Sequence, residues 1–337
     1  MKHAKIFSVF IFVALLGYGA LGFYFLPLAT FQGELTRMAL LPESLFGWTK
    51  SQPAIEAKWM GQATLQEADV LVIGDSFSDG RVWQTVLARQ GLKVRTESWD
   101  SMRGICGDFA PWLRAQGFVG KYLVLESIER NLVDDLNKSV ACQHMQYHPN
   151  PKTDAPRYPP AVSFDVNLGN YAGKLSTGIK TRLNVLQYER LSHSPDFKSW
   201  LMSNDVRMAH LANGCELFSH ARCNDALFLA KDRAEEIDAI ALKDIETLNA
   251  RLHGITPIWV FVPNKSTAYL YPDKQFWNEA ERRFHAPDLL RMTQQAIDAK
   301  FIDLYPGSGT HLSTTGYLKM GELIYSDMSS NLMRMRQ

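Results

Sequence analysis

The hydrophobic and polar positions divide the chain into regions of different grain. From Ile6 to Leu26 the sequence reads IFSVFIFVALLGYGALGFYFL, with no charged residue. That is about 21 residues, or roughly 31 Å of helix at 1.5 Å per residue, enough to cross a bilayer. The run has no polar face, so a buried core helix is a poor alternative. Lys2, His3 and Lys5 precede it; a positive flank of this kind stays in the cytoplasm and sends the rest of the chain across. Small residues at Gly17, Gly19 and Ala20 would permit signal-peptide cleavage. The apolar run continues through Phe23, Tyr24 and Phe25, so an uncleaved anchor is expected.

Farther along, the pattern changes to short branched apolar runs separated by amphipathic stretches. Asp69–Ile73, Lys93–Glu97, Lys121–Ser127, Pro257–Val262 and Phe301–Leu304 read as buried parallel strands. Arg81–Gln90 reads as a helix ended by Gly91 as its cap. Strands alternating with helices predict an α/β domain with a mostly parallel sheet covered on both faces. Residues 27–65 read as a stalk. Residues 144–172, with Pro149, Pro151, Pro156, Pro159 and Pro160, read as a long surface excursion. Residues 183–212 read as helical. Asn224–His253 reads as one long helix capped by Asn224, with Leu227, Ala230, Ile237, Ile240, Leu242, Ile245, Leu248 and Leu252 at helical spacing. The resulting division is a tip and anchor over 1–30, a linker over 31–65, and a domain over 66–337 with an inserted segment at about 140–222.

Composition narrows the function classes. Lys and Arg number 36 against 35 Asp and Glu, a formal net charge of +1, which argues against a nucleic-acid binder. At 46% hydrophobic and 21% charged residues, general disorder is excluded. Only one segment could span a membrane, which excludes a polytopic protein. The four cysteines, Cys106, Cys142, Cys215 and Cys223, suit disulfides in an oxidising compartment. Of the three possible pairings, Cys215 with Cys223 would staple a short loop, leaving Cys106 with Cys142. A zinc site is the competing use, but no paired CxxC or nearby HxxxH spacing supports it.

Two polar features could carry chemistry. The first strand runs into Gly74-Asp75-Ser76-Phe77-Ser78 and then a helix, which sets Ser76 at the C-terminal edge of the sheet, where open α/β folds place their sites. A helix start there also offers N–H groups to a developing oxyanion. N-capping of the helix would explain the same serine without catalysis. A serine nucleophile needs a base, and His311 follows the last expected strand, just before a helix beginning near Ser313–Gly316. Both would therefore lie at one sheet edge.

With these residues in view, the chain resembles the SGNH (GDSL) hydrolase superfamily. Val70–Ser78 (VLVIGDSFS), Leu123–Arg130 (LVLESIER) and Val262–Tyr269 (VPNKSTAY) resemble blocks of its extracytoplasmic polysaccharide O-acetyltransferase branch, which includes the alginate acetylation proteins. The blocks are short and scattered over roughly residues 68–325. The order differs from the alginate proteins, whose His motif precedes the serine; here the serine comes first, as in ordinary SGNH hydrolases and in the anchored transferases of cell-wall acylation. The resemblance implies an SGNH-like three-layer sandwich behind one transmembrane helix, and a single-pass protein of the bacterial inner membrane with its domain in the periplasm. It implies Ser76 as nucleophile and His311 as base. The family's acid, two or three residues before the His, is absent: those positions are Gly309 and Ser308. Asp303, at the end of the last expected strand, is the substitute, with a structural carboxylate as the alternative role. Gly104 matches the oxyanion glycine loosely, and no GxND block is present. Arg130, Lys265 and Tyr269 fall at family positions near the site, where they could hold an anionic sugar or simply shape loops. Trp99, Tyr269, Tyr271 and Trp277 could stack on sugar rings or belong to the core.

The expected activity is acetyl transfer to a polysaccharide or cell-wall glycan through an acyl-serine, without a cofactor. The acyl donor would come from a polytopic membrane-bound O-acyltransferase, a partner implied by the resemblance alone. A carbohydrate esterase of the same fold and a non-catalytic glycan-binding subunit are the alternatives, the latter motivated by the missing acid.

Overall fold

A computed structural model describes residues 2–148, 171–194, 196–203, 205–232, 236–252 and 254–334. The prolines of the expected excursion, Pro149 to Pro160, lie outside the described residues, as does His253. In chain order, the elements that matter here begin with α1 (Lys2–Phe25), β1 (Val70–Gly74), α2 (Ser76–Asp79), α3 (Gln84–Arg89), β2 (Val94–Ser98), β3 (Tyr122–Ile128) and α4 (Glu129–Ala141). They continue with α5 (Tyr171–Ser192), β4 (Ser199–Leu201), β5 (Val206–His210), β6 (Asp225–Leu229) and α6 (Ala239–Asn249). The last are β7 (Thr256–Val262), α7 (Lys265–Leu270), α8 (Leu289–Asp298) and α9 (Thr314–Arg334).

The chain forms two compact units. The first comprises Met1–Lys50, Pro159–Lys231 and Pro306–Thr310; the second comprises Ser51–Tyr158, Asp232–Tyr305 and His311–Gln337.

The second unit is built on a four-stranded parallel sheet in the order β2-β1-β3-β7. Every residue of β1 and β3 is buried, which explains why these strands read as continuous apolar runs rather than alternating ones. Successive residues feed opposite faces. Leu71, Ile73, Leu123, Leu125, Trp259 and Phe261 pack with Leu132 and Leu136 of α4 and Ile245 and Leu248 of α6. Val70, Val72, Val124, Ile258 and Val260 pack with Leu87 of α3, Leu289 of α8 and Met320 and Ile324 of α9. Helices therefore cover both faces, as the α/β reading requires.

The expected fifth strand does not form. Phe301–Leu304 is a turn: Asp303 within it and Lys300 just before it take left-handed backbone (φ 57° and 56°), incompatible with an extended run. Leu304 and Tyr305 are buried there without a strand partner, so burial alone mimicked a strand.

The first unit holds α1 and a second, antiparallel sheet, β4-β5-β6. Three expectations change here. Residues 31–50 are not a stalk: Leu35, Ala39, Leu41 and Phe46 are buried against Val185, Tyr188, Val206, Met208 and Leu227. The helix expected over 183–212 is α5 and stops at Ser192, giving way to β4 and β5. The long helix expected from Asn224 is a strand, β6, and then α6, which starts at its own cap, Asp238, whose side chain accepts the Ile240 and Ala241 N–H groups. The short run ALFL at 226–229 fits either period. Asn224 accepts the Cys215 N–H at 3.3 Å instead of capping a helix. Both expected disulfides are present, Cys106–Cys142 in the second unit and Cys215–Cys223 in the first.

Candidate active site

β1 ends at Gly74, and the chain turns sharply into α2. The turn is fixed by carboxylates. Asp75 caps the helix: Oδ1 accepts the Phe77 N–H at 2.9 Å, and Oδ2 accepts the Ile128 N–H from the end of β3 at 2.8 Å. Glu126, fully buried in β3, accepts the Asp75 N–H at 3.1 Å and the Ser78 hydroxyl at 2.6 Å, both through Oε2. Trp83 donates its indole N–H to Ser78 Oγ at 3.2 Å. A side chain at position 74 would meet Ser78, with Glu126 Oε2 2.6 Å from its Cβ. Only glycine lets the carboxyl approach the backbone so closely. Burial, and then the neighbouring Asp75 charge, push the Glu126 carboxyl well above the usual carboxylate range.

This scaffolding leaves one residue outward. Ser76 is exposed, while the two residues that follow it, Phe77 and Ser78, are buried. His311 Nε2 lies 2.8 Å from Ser76 Oγ. The imidazole is itself buried and rests on Phe77, ring centroids 4.7 Å apart, with Phe77 in turn meeting Tyr317 of α9 at 5.9 Å. Ser313, just past the histidine, donates its N–H to Leu304 O at 2.9 Å, which anchors the start of α9. A hydroxyl with an imidazole nitrogen in hydrogen-bond reach is the minimal unit for nucleophilic catalysis. With the ring proton on Nδ1, Nε2 is the acceptor that would take the hydroxyl proton. Ser76 is the first residue of α2, so its N–H belongs to the set that a helix start leaves without an intrahelical partner.

Asp303 is fully buried, and its charge acts on Lys265 and Tyr269. Lys265, at the start of α7, is 1% exposed. Burial drives its ammonium down to about 7, against the opposing pull of Asp303 and Asp232. Tyr269 accepts the Tyr305 N–H at 3.4 Å, and burial raises its phenol. Ser308 and Gly309, where the resemblance would put an acid, do not supply one; the Ser308 carbonyl accepts the Leu35 N–H at 2.9 Å.

Arg130 sits at the start of α4, donating to Asn264 Oδ1 at 3.2 Å and lying 3.9 Å from Asp232 Oδ1. It belongs to a network that joins the C-terminal ends of β3 and β7. Glu129 accepts the Asn264 N–H at 3.0 Å and the Thr267 hydroxyl at 2.5 Å, and faces Lys274 at 3.5 Å. Ser266 donates to Asp232 at 3.0 Å. Glu129, Asp232, Asn264 and Lys274 did not stand out in the sequence, because nothing in a linear reading brings 129, 232, 264 and 274 together. Glu126 does stand out in the sequence, as a carboxyl in a buried strand and a possible structural partner of Arg130; its hydrogen bonds go instead to Asp75 and Ser78.

Gly104 is explained by packing. It has φ 118°, and a Cβ there would lie 3.1 Å from Ser139 Cα and 3.3 Å from Cys142 Sγ. Ser139 is ten residues into α4, about 15 Å along the helix at 1.5 Å per residue, away from the sheet edge that bears Ser76. Trp99 and Trp277 are core residues, not sugar platforms: both are buried and donate their indole N–H to backbone, Trp99 to Glu126 O at 2.6 Å and Trp277 to Phe261 O at 3.0 Å. Among the described residues no group of three or more His, Cys, Asp or Glu is arranged to hold a metal. No protein-family model, curated protein or solved structure matches the chain.

Proposed function

We propose that the protein is a membrane-anchored, extracytoplasmic serine O-acyltransferase that transfers acetyl groups to a polysaccharide or cell-wall glycan, on an SGNH-like domain. One observation carries the enzyme part: the exposed Ser76 hydroxyl lies 2.8 Å from His311 Nε2 at the C-terminal edge of a parallel sheet. A binding-only subunit would have no need of that pairing.

In the proposed reaction, His311 Nε2 takes the proton as Ser76 Oγ attacks the acyl carbonyl. The Ser76 backbone N–H at the start of α2 stabilises the developing oxyanion. Collapse of the intermediate breaks the bond to the donor's leaving group, which receives the proton from His311, and leaves acyl-Ser76. A glycan hydroxyl then gives its proton to His311 and attacks the acyl carbon, releasing Ser76 with its proton returned. Asp303 is the proposed acid supporting the imidazole, and Arg130, Lys265 and Tyr269 are the proposed acceptor-side residues. The near-zero net charge gives no global attraction to a polyanion, so an acidic glycan would depend on local cations. The apolar α1 supports the anchor, and the two disulfides are in keeping with an oxidising compartment. The polytopic donor partner rests on the family resemblance.

Removal of acyl groups from the same glycans needs the same dyad, since water replaces the acceptor only in the second step. A fluorogenic acetyl ester, turned over with and without an oligosaccharide acceptor, separates the two. Acetylated oligosaccharide is the expected product; hydrolysis alone in the presence of acceptor would establish the esterase instead. A serine-directed reagent that leaves Ser76 unmodified in the folded protein would remove both.

A further inference from the structure

The helix α5 has apolar positions on two sides, and the fold uses only one. Gly178, Thr181, Val185 and Tyr188 are buried, and Val185 and Tyr188 join the core of the first unit. On another side, Ile179, Leu183 and Leu186 are 39%, 58% and 46% exposed. At 100° per residue these three fall within an arc of about 60°. Lys180 and Arg182 flank the arc, and Arg190 continues it one turn beyond Leu186; Lys180 and Arg190 are exposed. An exposed apolar stripe rimmed by cations is the composition of a helix that lies in the interface of an anionic membrane.

The position of α5 agrees with that composition. Gly178 lies against the last residue of α1: a Cβ there would come within 2.8 Å of the Phe25 carbonyl carbon. Phe25 ends the α1 helix and falls near the end of the His3–Ala29 segment, the one long and apolar enough to span a bilayer among the described residues. Ile179, Leu183 and Leu186 follow Gly178 within about 12 Å of helix at 1.5 Å per residue, so the stripe begins where the bilayer would end.

We infer that the Ile179–Leu183–Leu186 face of α5 docks into the outer surface of the same lipid bilayer that holds α1, with Lys180, Arg182 and Arg190 against anionic phospholipid headgroups. The inference rests on α1 being a bilayer span. A tether alone would leave the domain free to swing; a second, interfacial contact would fix the orientation of the first unit at the membrane surface.

All four native cysteines are in disulfides, so a single introduced thiol can be labelled selectively. The full-length protein is reconstituted into vesicles of phosphatidylethanolamine and phosphatidylglycerol, carrying an environment-sensitive fluorophore at Leu183→Cys or, as a control, at Ala221→Cys, an exposed position beside Arg222, which lies over Tyr188 on the side of α5 opposite the stripe. Leu183 is largely exposed, so the substitution leaves the core intact. The label at 183 is expected to be blue-shifted and quenched by spin-labelled lipid about threefold or more strongly than the label at 221. Equal quenching at both positions in protein that floats with the vesicles would overturn the inference and leave the anchor standing. Protein that fails to float would overturn the anchor and this inference with it. A label shielded in native membranes but water-exposed in pure lipid vesicles would also overturn it, and would assign the face to a protein partner.

Discussion

Glu126 accepts the Ser78 hydroxyl at 2.6 Å through the same oxygen that accepts the Asp75 N–H, so the turn carrying Ser76 hangs from the neighbouring strand. The carboxyl is buried and raised well above the usual range, which makes Gln the conservative replacement and Ala a true deletion. Glu126→Gln is expected to fold and to keep acylation within about tenfold. Glu126→Ala strands two buried donors at about 1–3 kcal/mol each and should lose both stability and acylation. Chemical denaturation and single-turnover acylation by an activated ester check this. Because the folded-state carboxyl is raised, its stabilisation is full at low pH and is lost as the pH climbs through the raised value; the Gln variant should lack that loss.

Ser76→Ala and His311→Ala are each expected to abolish acylation, and the double variant should be no worse than either, since nucleophile and base act as one unit. Asp303→Asn distinguishes its two roles. A loss as large as that of His311→Ala, in kcat with a folded protein, makes Asp303 the acid of a triad; a loss of stability with a near-normal rate makes it the counter-charge of Lys265. Pre-steady-state kinetics and thermal melts read the two separately.

The buried ammonium of Lys265 is lowered to about 7. Between that value and the unfolded one near 10.5, the unfolded chain holds a proton that the folded one lacks, so this group makes stability rise with pH across that window. Lys265→Met is expected to remove the rise. Urea midpoints of the two proteins at pH 7 and 9.5 test this.

Asp135 carries the opposite sign. It is buried, accepts the Ser127 hydroxyl at 3.0 Å, and is raised to about 7. The folded state binds a proton that the unfolded state releases between about pH 4 and 7, so stability falls as the pH rises through that interval. Asp135→Asn should match the wild type at pH 4 and exceed it at pH 8 by on the order of 3 kcal/mol. Denaturant unfolding at the two pH values is the measurement.

The two disulfides close loops of different size, with sequence separations of 36 for Cys106–Cys142 and 8 for Cys215–Cys223. Loop-closure entropy makes them worth about 4 and about 2.5 kcal/mol. Paired Cys→Ala replacement at 106 and 142 should therefore cost more than at 215 and 223. Unfolding followed separately in each unit would rank them.

How far the chain could be read depended on whether a feature was local. The strand, the turn at Gly74 and the exposed serine are all legible from one contiguous run, whereas His311 is placed beside them in the sequence only through a fifth strand that does not form; the 2.8 Å approach to Ser76 comes from the fold. Asp303 was misplaced on a strand because burial of Leu304 and Tyr305 looks the same in a turn. The segment after Asn224 was ambiguous for a different reason: four apolar residues satisfy a strand and a helix equally, and the deciding partner, β5, is distant in the chain. Trp99 and Trp277 could not be sorted from sugar-stacking aromatics without knowing where their indole N–H groups point. The acid–base network of Glu129, Asp232, Asn264 and Lys274 is made by topology, which no spacing encodes.

The pairing of β3 with β7 joins Tyr122 to Thr256, two strands separated by the whole of α5, β4, β5 and β6. At about 5–20 residues per second of synthesis, the roughly 130 intervening residues take on the order of 7 to 26 s to appear. For that interval one edge of β3 has no partner, although the finished strand is buried along its full length. An apolar strand with an open edge is the element most prone to pair with another chain. The vulnerable moment in this protein's life is therefore the wait for β7, before the sheet edge that bears Ser76 is complete.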